Sequence, residues 1–206
     1  MARITLTTFL TLDGVMQAPG GPGEDTSGGF DHGGWLVPHW SDDLGGWVDE
    51  WFGAADGFLL GRRTYEIFAG YWPHVTDPDN PIASKLNALP KYVVSTTLDR
   101  ADWHNSTLIS SDVAKKVAEL KDLPGREIQI HGSGTLAQSL MAEELIDEYR
   151  LWFFPIVLGE GKRLFANGTV PTALTLTDQR RSDKGVSVQV YQPAGRPAYG
   201  SFDLEE

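Results

Sequence analysis

The sequence contains no cysteine. Disulfides, thiolate metal sites and thiol nucleophiles are thereby excluded. No apolar run approaches the about 18 residues that a membrane-spanning helix requires. Residues 4–12 are apolar but short, threonine-interrupted and followed at once by Asp13, unlike a signal peptide. A cytoplasmic protein is the expectation. Basic residues are scarce: 17 Lys and Arg face 28 Asp and Glu, for a net charge of -11. That balance argues against nucleic acid or anionic membranes as partners. Between Arg3 and Arg62 there is no lysine or arginine at all, yet Asp13, Glu24, Asp25, Asp31, Asp42, Asp43, Asp49, Glu50 and Asp56 fall there. Such a stretch is either a solvated acidic face or the border of a site for a cationic or amine-rich molecule.

The remaining composition is that of an ordinary globular protein, with 41% hydrophobic and 22% charged residues among 206. No linker composition interrupts residues 37–193 and no repeat is visible. The expectation is one domain over residues 1–192 and a polar tail over 193–206.

Periodicity supplies the elements. "RITLTTFLTLDG" alternates and predicts a first strand over residues 4–10. Residues 19–34 hold seven glycines and two prolines and read as a long loop, a feature that is usually functional or mobile. Ser41 is a plausible N-cap for a helix with Leu44, Trp47, Val48, Trp51 and Phe52 at helical spacing. A short buried strand over 57–60 leads into a helix over 62–69, and a proline-rich loop follows. "KYVVSTT" and "STLI" read as strands, and 112–121 as an amphipathic helix. "REIQIHGSGTLAQSLMAEELIDEYRLWFFPIVLG" reads as strand, glycine turn, helix and strand, and "TALTLTD" with "VSVQVYQP" as an antiparallel pair. Alternating strands and helices followed by strands alone predict an α/β fold: a mostly parallel sheet covered on both faces, with an antiparallel C-terminal edge.

Three strand ends carry residues suited to phosphate or ribose. Gly61 permits close backbone approach. Arg62, Arg63 and Thr64 then open a helix, where cations are disfavoured by some tenths of a kcal/mol each unless an anion is present. Ser95, Thr96 and Thr97 follow a second strand, and "HGSGTL" follows a third and opens another helix. Ligands of open α/β sheets bind at such carboxyl ends. "HGSGTL" lacks the G-x-G-x-x-G spacing of a Rossmann fingerprint, and "GSGTL" is not the nucleophile elbow G-x-S-x-G. The paired arginines suit the additional phosphate of NADP. His32, His39, His74, His104 and His131 show no metal-ligand spacing, so no metal is expected. Trp47 and Trp51 share a helix face and read as core. Trp35, Trp40 and Trp72 lie where an aromatic wall for a flat heterocycle is plausible.

"TLDGVM", "GFLLGRRTYEIF", "VVSTT", "IHGSGTLAQSL" and "IDEYRLWFFPIVLGEGKRLF" fall in the order and spacing of the dihydrofolate reductase-like fold. The chain resembles most closely its riboflavin-biosynthesis reductase branch, the RibD C-terminal family, over residues 3–192. The resemblance implies a three-layer α/β/α architecture and NADPH as cofactor. It implies that Gly61, Arg62, Arg63 and Thr64 bind phosphates, that Ser95 and Thr96 line the adenosine end, and that His131, Gly132, Ser133, Gly134, Thr135 and Leu136 wrap the pyrophosphate. It also implies an unusual backbone geometry at Gly132-Ser133. Substrate is expected between Asp13-Gly14, Trp40 and Phe68, with Asp43 as proton donor or orienting carboxylate.

Two departures from the family pattern bear on function. "WLVPHW" places Trp40 where folate reductases carry the carboxylate that holds the pterin, so a true folate reductase is not expected. The zinc-binding deaminase domain that accompanies riboflavin-pathway reductases is not expected within these 206 residues, which hold no cysteine. Lys162 and Arg163 either meet a substrate phosphate or are solvated cations on a hairpin. The functional expectation is an NADPH-dependent reductase of a small heterocyclic or carbonyl compound, against a non-catalytic nucleotide- or ligand-binding protein or one that sequesters an antifolate-like compound. The apolar run 148–158 and the family's habit of pairing predict a homodimer; a central strand buried on both faces would produce the same run.

Overall fold

A computed structural model describes residues 1–202. The last four residues of the expected polar tail, 203–206, lie outside the described residues. The first strand, β1 (Arg3–Thr11), shows why the fold is layered. Its even positions Ile4, Leu6 and Leu10 enter one core and Phe9 packs into the other, as period-2 alternation requires of a strand covered on both sides.

Around it stand β2 (Gly57–Gly61), β3 (Lys91–Val94), β4 (Ser106–Ile109), β5 (Glu127–His131), β6 (Glu148–Phe154), β7 (Leu174–Arg181) and β8 (Ser187–Pro193). They form one sheet in the order β4-β3-β2-β5-β1-β6-β8-β7. Every pairing from β4 through β6 is parallel, while β8 on β6 and β7 on β8 are antiparallel. The sheet is therefore mostly parallel with an antiparallel C-terminal edge, as expected. The helices α1 (Asp42–Ala54), α2 (Arg62–Tyr71) and α3 (Pro81–Ala88) cover one face, through Trp51, Phe52, Tyr65 and Leu86 on Phe58, Leu60, Trp152 and Phe154. On the other face lie α4 (Val113–Lys121) and α5 (Gly134–Ala142), through Val117, Leu120, Leu136, Ala137 and Leu140 on Ile4, Leu6, Leu59, Ile128 and Ile130. Burial of each large apolar side chain stabilises by roughly 1.5–3 kcal/mol before conformational entropy is charged against it.

Two local expectations change. The proline-rich loop before β3 contains α3. Pro81 is its first residue and the Asn80 side chain accepts the Ala83 N–H at 2.9 Å, so proline begins this helix where it reads as a breaker. Ser41 stands at the N-cap of α1 but makes no side-chain cap; its hydroxyl is buried without a partner. Of the apolar run 148–158, Glu148–Phe154 form β6, flanked by β1 and β8 and largely buried, while Pro155 and Val157 beyond it are exposed.

The N-terminal ends of β5 and β6 hold a buried charge cluster. Arg150 donates to both oxygens of Glu127 at 2.8 Å and to Glu148 at 2.9 Å, and its guanidinium lies 4.8 Å from the Trp51 ring centroid. This cluster lies away from the carboxyl ends of the strands.

Candidate functional site

The strand order puts the carboxyl ends of β3, β2, β5 and β1 side by side on one edge of the sheet. That edge gathers Ser95, Gly61, His131 and Asp13, which the sequence spreads over more than a hundred residues.

The turns after β2 and β5 are stitched together by one residue. Ser133 Oγ accepts the Gly61 N–H at 3.0 Å and donates to the His131 carbonyl at 2.9 Å, while the Ser133 N–H donates to Thr64 Oγ1 at 3.2 Å. Gly132 and Ser133 both hold left-handed backbone, at φ +53° and +50°, the unusual geometry expected of this turn. A side chain at Gly134 would begin 2.8 Å from Met16 Sδ, so the segment after β1 packs directly on the start of α5. Neither α2 nor α5 has a side-chain cap, so both helix starts present backbone N–H groups with no capping acceptor. Thr135 is exposed there and Leu136 is buried in the core.

The two arginines part company. Among the described residues Arg62 pairs only with Glu66, an exposed i,i+4 pair at 3.3 Å. Arg63 binds Asp25 of the glycine-rich loop, and Lys162 Nζ binds the same carboxylate at 2.7 Å. Asp25 is held at a pKa of about 2: burial opposes ionisation, but Lys162, the Ser27 hydroxyl and the Ser27 N–H outweigh it. Nothing in the linear sequence distinguishes Asp25 from its acidic neighbours.

The other expected residues divide by use. Ser95 Oγ accepts the N–H groups of Thr97 and Leu98 at 3.1 and 3.0 Å and is spent inside its own turn, while Thr96 is exposed. Asp13 is likewise engaged by the protein. It accepts from Thr11 Oγ1 at 2.6 Å, Gly159 N at 2.8 Å, Leu158 N at 3.2 Å and Arg163 at 3.3 Å. Burial pushes its pKa up, and the Thr11 hydroxyl and the two N–H groups bring it down to about 2. Asp13 thus ties the end of β1 to the 158–163 turn, and Gly14 beside it turns at φ +81°. Trp40 is half-exposed just before α1 and its carbonyl accepts from Lys184 at 2.6 Å. Asp43 is exposed in the first turn of α1. Phe68 of α2 packs on the core and edge-on to Trp72, whereas Trp35 is buried with its indole N–H on the Gln17 carbonyl.

His131 departs from the turn it belongs to. Its ring stacks on Phe52 at 4.6 Å, against α1, and its Nε2 lies 3.0 Å from Gln129 Oε1. The Gln129 amide nitrogen donates to Glu127 and to the Trp51 carbonyl, so Oε1 is an acceptor and His131 Nε2 must carry the proton. Burial, with the nearby positive charge of Arg150, lowers its pKa to about 3, so the ring is neutral. The backbone of His131 lines the turn while its side chain serves the interior.

This frame has known counterparts. The family model for the RibD C-terminal domain matches residues 2–188. The chain belongs to that family. The uncharacterized protein YyaP of Bacillus subtilis is 29% identical over 191 residues, covering 92% of this chain and 94% of YyaP. A putative riboflavin biosynthesis protein from Shewanella superposes with a TM-score of 0.69 at 22% identity, covering 93% of this chain and 98% of that one. A diaminohydroxyphosphoribosylaminopyrimidine deaminase/5-amino-6-(5-phosphoribosylamino)uracil reductase from Thermotoga maritima gives a TM-score of 0.61 at 14% identity; the RibD C-terminal frame spans 94% of this chain and 57% of that protein. The domain is reductase-like, and no helix among the described residues is long and apolar enough to cross a membrane.

Proposed function

We propose that this RibD C-terminal domain protein is an NADPH-dependent reductase of a small heterocyclic, pterin- or pyrimidine-like, or carbonyl substrate. The observation that carries the reading is the pair of helix starts, α2 and α5, open at neighbouring strand ends, locked by Ser133 and adjoined by two arginines. Uncapped N–H groups beside cations suit an elongated, multiply phosphorylated ligand. NADPH, when bound, supplies the hydride, so the protein's task is position and a proton route.

In this reading Arg62, which is engaged in an exposed pair with Glu66, holds the 2′-phosphate, and the N–H groups at the start of α5 hold the pyrophosphate. Asp13-Gly14, Trp40 and Phe68 border the substrate, and Asp43 orients a proton. The reductase half of the Thermotoga protein's name supports the reaction class. The acidic approach to α1 has no carboxylate at Trp40, so efficient turnover of dihydrofolate is not expected. Pairing of two copies, expected from the apolar run 148–158 and the family, and a cytoplasmic location, expected from the sequence, are part of the proposal; light scattering checks the first, with the 22.6 kDa mass of one chain as the refuting result.

Titration with both cofactors tests the cofactor assignment. NADPH should bind at least tenfold tighter than NADH, roughly 1.4 kcal/mol, and equal affinity would sink it. Oxidation of NADPH against pterins, pyrimidines and quinones tests the reaction. Tight binding with no oxidation favours a non-catalytic binding protein, a reading consistent with the exposure of both Asp42 and Asp43.

A further inference from the structure

Asp25 sits in the glycine-rich loop with its side chain only 10% exposed, and it is the carboxylate partner of two cations 99 positions apart, Arg63 and Lys162. Among the described residues neither cation forms another ion pair. Ser27 Oγ completes the cluster, 2.6 Å from both Arg63 Nη1 and Lys162 Nζ. The loop is pinned in this position. Gln17 Nε2 donates to the Asp25 and Ser27 carbonyls at 3.0 and 2.9 Å, and Gln17 Oε1 accepts the Lys162 N–H at 3.0 Å. A cavity of about 310 Å³ adjoins the cluster, lined by Gln17, Ser27, Phe30, Glu160, Gly161 and Lys162.

Within the hydrogen-bonded cluster one carboxylate is shared by two cations, and the second carboxylate nearby, Glu160 of the cavity lining, pairs with neither, in a chain whose net charge is -11. Arg63 also stands in the first turn of α2, where the helix dipole itself calls for an anion. We propose that Arg63, Lys162 and Ser27 form one anion-binding site for a phosphate ester, and that Asp25 is the internal anion that fills it and sets its selectivity. A dianionic phosphate satisfies both cations and displaces the single carboxylate; a hydroxyl or a monoanion does not. Because the site is occupied from within, the apparent affinity for a phosphate ligand is lowered by the fraction of molecules in which Asp25 is seated. The phosphate belongs either to the cofactor, in which case the inference rests on the reading above, or to a phosphorylated substrate.

The experiment compares the full chain with Asp25→Asn, measuring affinities for NADPH, inorganic pyrophosphate and ribose 5-phosphate by calorimetry. The substitution should tighten at least one of them by about tenfold, the effect of a seat that is 90% occupied, and Lys162→Met should weaken the same one. A gain with NADPH and pyrophosphate assigns the site to the cofactor; a gain with ribose 5-phosphate alone assigns it to a substrate. If NADPH binds neither protein while another probe shows the gain, the cofactor reading falls and this inference stands. If NADPH binds both proteins equally and no probe shows a gain, Asp25 is only a scaffold and this inference falls alone. Absence of all binding overturns both. Should Asp25→Asn fail to fold, hydrogen exchange of the unmodified chain decides the matter. Amides of residues 20–29 should lose protection when a bound probe releases the loop, and unchanged or higher protection overturns the proposal.

Discussion

The Ser133 hydroxyl holds the Gly61 N–H at 3.0 Å, so a residue after β5 serves as the acceptor for the backbone that opens α2. Ser133 does this from left-handed backbone, a conformation that costs on the order of 1–3 kcal/mol and persists only when the surroundings over-determine it. Ser133→Ala keeps the strain and leaves the Gly61 N–H without its partner. Urea unfolding should show a loss of about 1–2 kcal/mol. Ser133→Gly, which relaxes the backbone while losing the same bond, should lie closer to the unmodified protein. An alanine variant as stable as the parent would show that the stitch contributes nothing.

Arg62 offers a cleaner test of cofactor choice than Arg63, because its only ion-pair partner among the described residues is the exposed Glu66 at 3.3 Å. Such a helix pair is worth about 0.2–0.5 kcal/mol, so Arg62→Ala should leave the melting temperature nearly unchanged. The ratio of NADH to NADPH dissociation constants should fall from at least about ten toward one. Retention of the full ratio would move the 2′-phosphate elsewhere.

Arg150 is the shared donor to Glu127 and Glu148 in a buried setting. Removing it by Arg150→Met leaves two buried carboxylates with only the half-exposed Arg3, 3.2 Å from Glu148 and 3.9 Å from Glu127, among their ion-pair partners in the described residues, and should cost about 3–5 kcal/mol. Adding Glu127→Gln to that variant should restore part of the loss, since the stranded charge, more than the missing bond, is responsible. Strictly additive losses in chemical denaturation would contradict this account.

His131 makes stability depend on pH in a defined direction. Its folded pKa, about 3, lies below the ordinary value of 6.5, so between the two the unfolded chain binds the extra proton. Its contribution is therefore complete above about pH 6.5 and is lost as pH falls toward 3. His131→Phe keeps a ring against Phe52 but cannot be protonated. Its stability should fall less steeply than the parent's across that window, measured by urea midpoints at successive pH values. Parallel curves would show that the histidine does not titrate on unfolding.

Much of the architecture follows from local pattern. Alternation in β1, helical spacing of Leu44, Val48 and Trp51, and the apolar run of β6 each reflect a side-chain period that the backbone imposes before any tertiary contact exists. The exception among the helices is α3, where Pro81 punctuates the sequence in either of two senses and Asn80 decides between them only once it caps. Gly61, Arg62 and Ser133 were legible as residue types at strand ends, where glycine, cation and hydroxyl suit an anion whatever surrounds them.

What the sequence by itself determined is the order of elements, their periodicity and the residue types at the strand ends. The tertiary structure alone decided the partners. Asp25 meets Arg63 and Lys162, Asp13 turns inward to the 158–163 turn, and His131 swings under α1 to join Gln129. The physical reason is that hydrogen bonds and ion pairs act over about 3 Å, whereas the loops that deliver these groups leave no periodic trace. Which acid reaches which cation is settled by the packing of the sheet and helices that carry them.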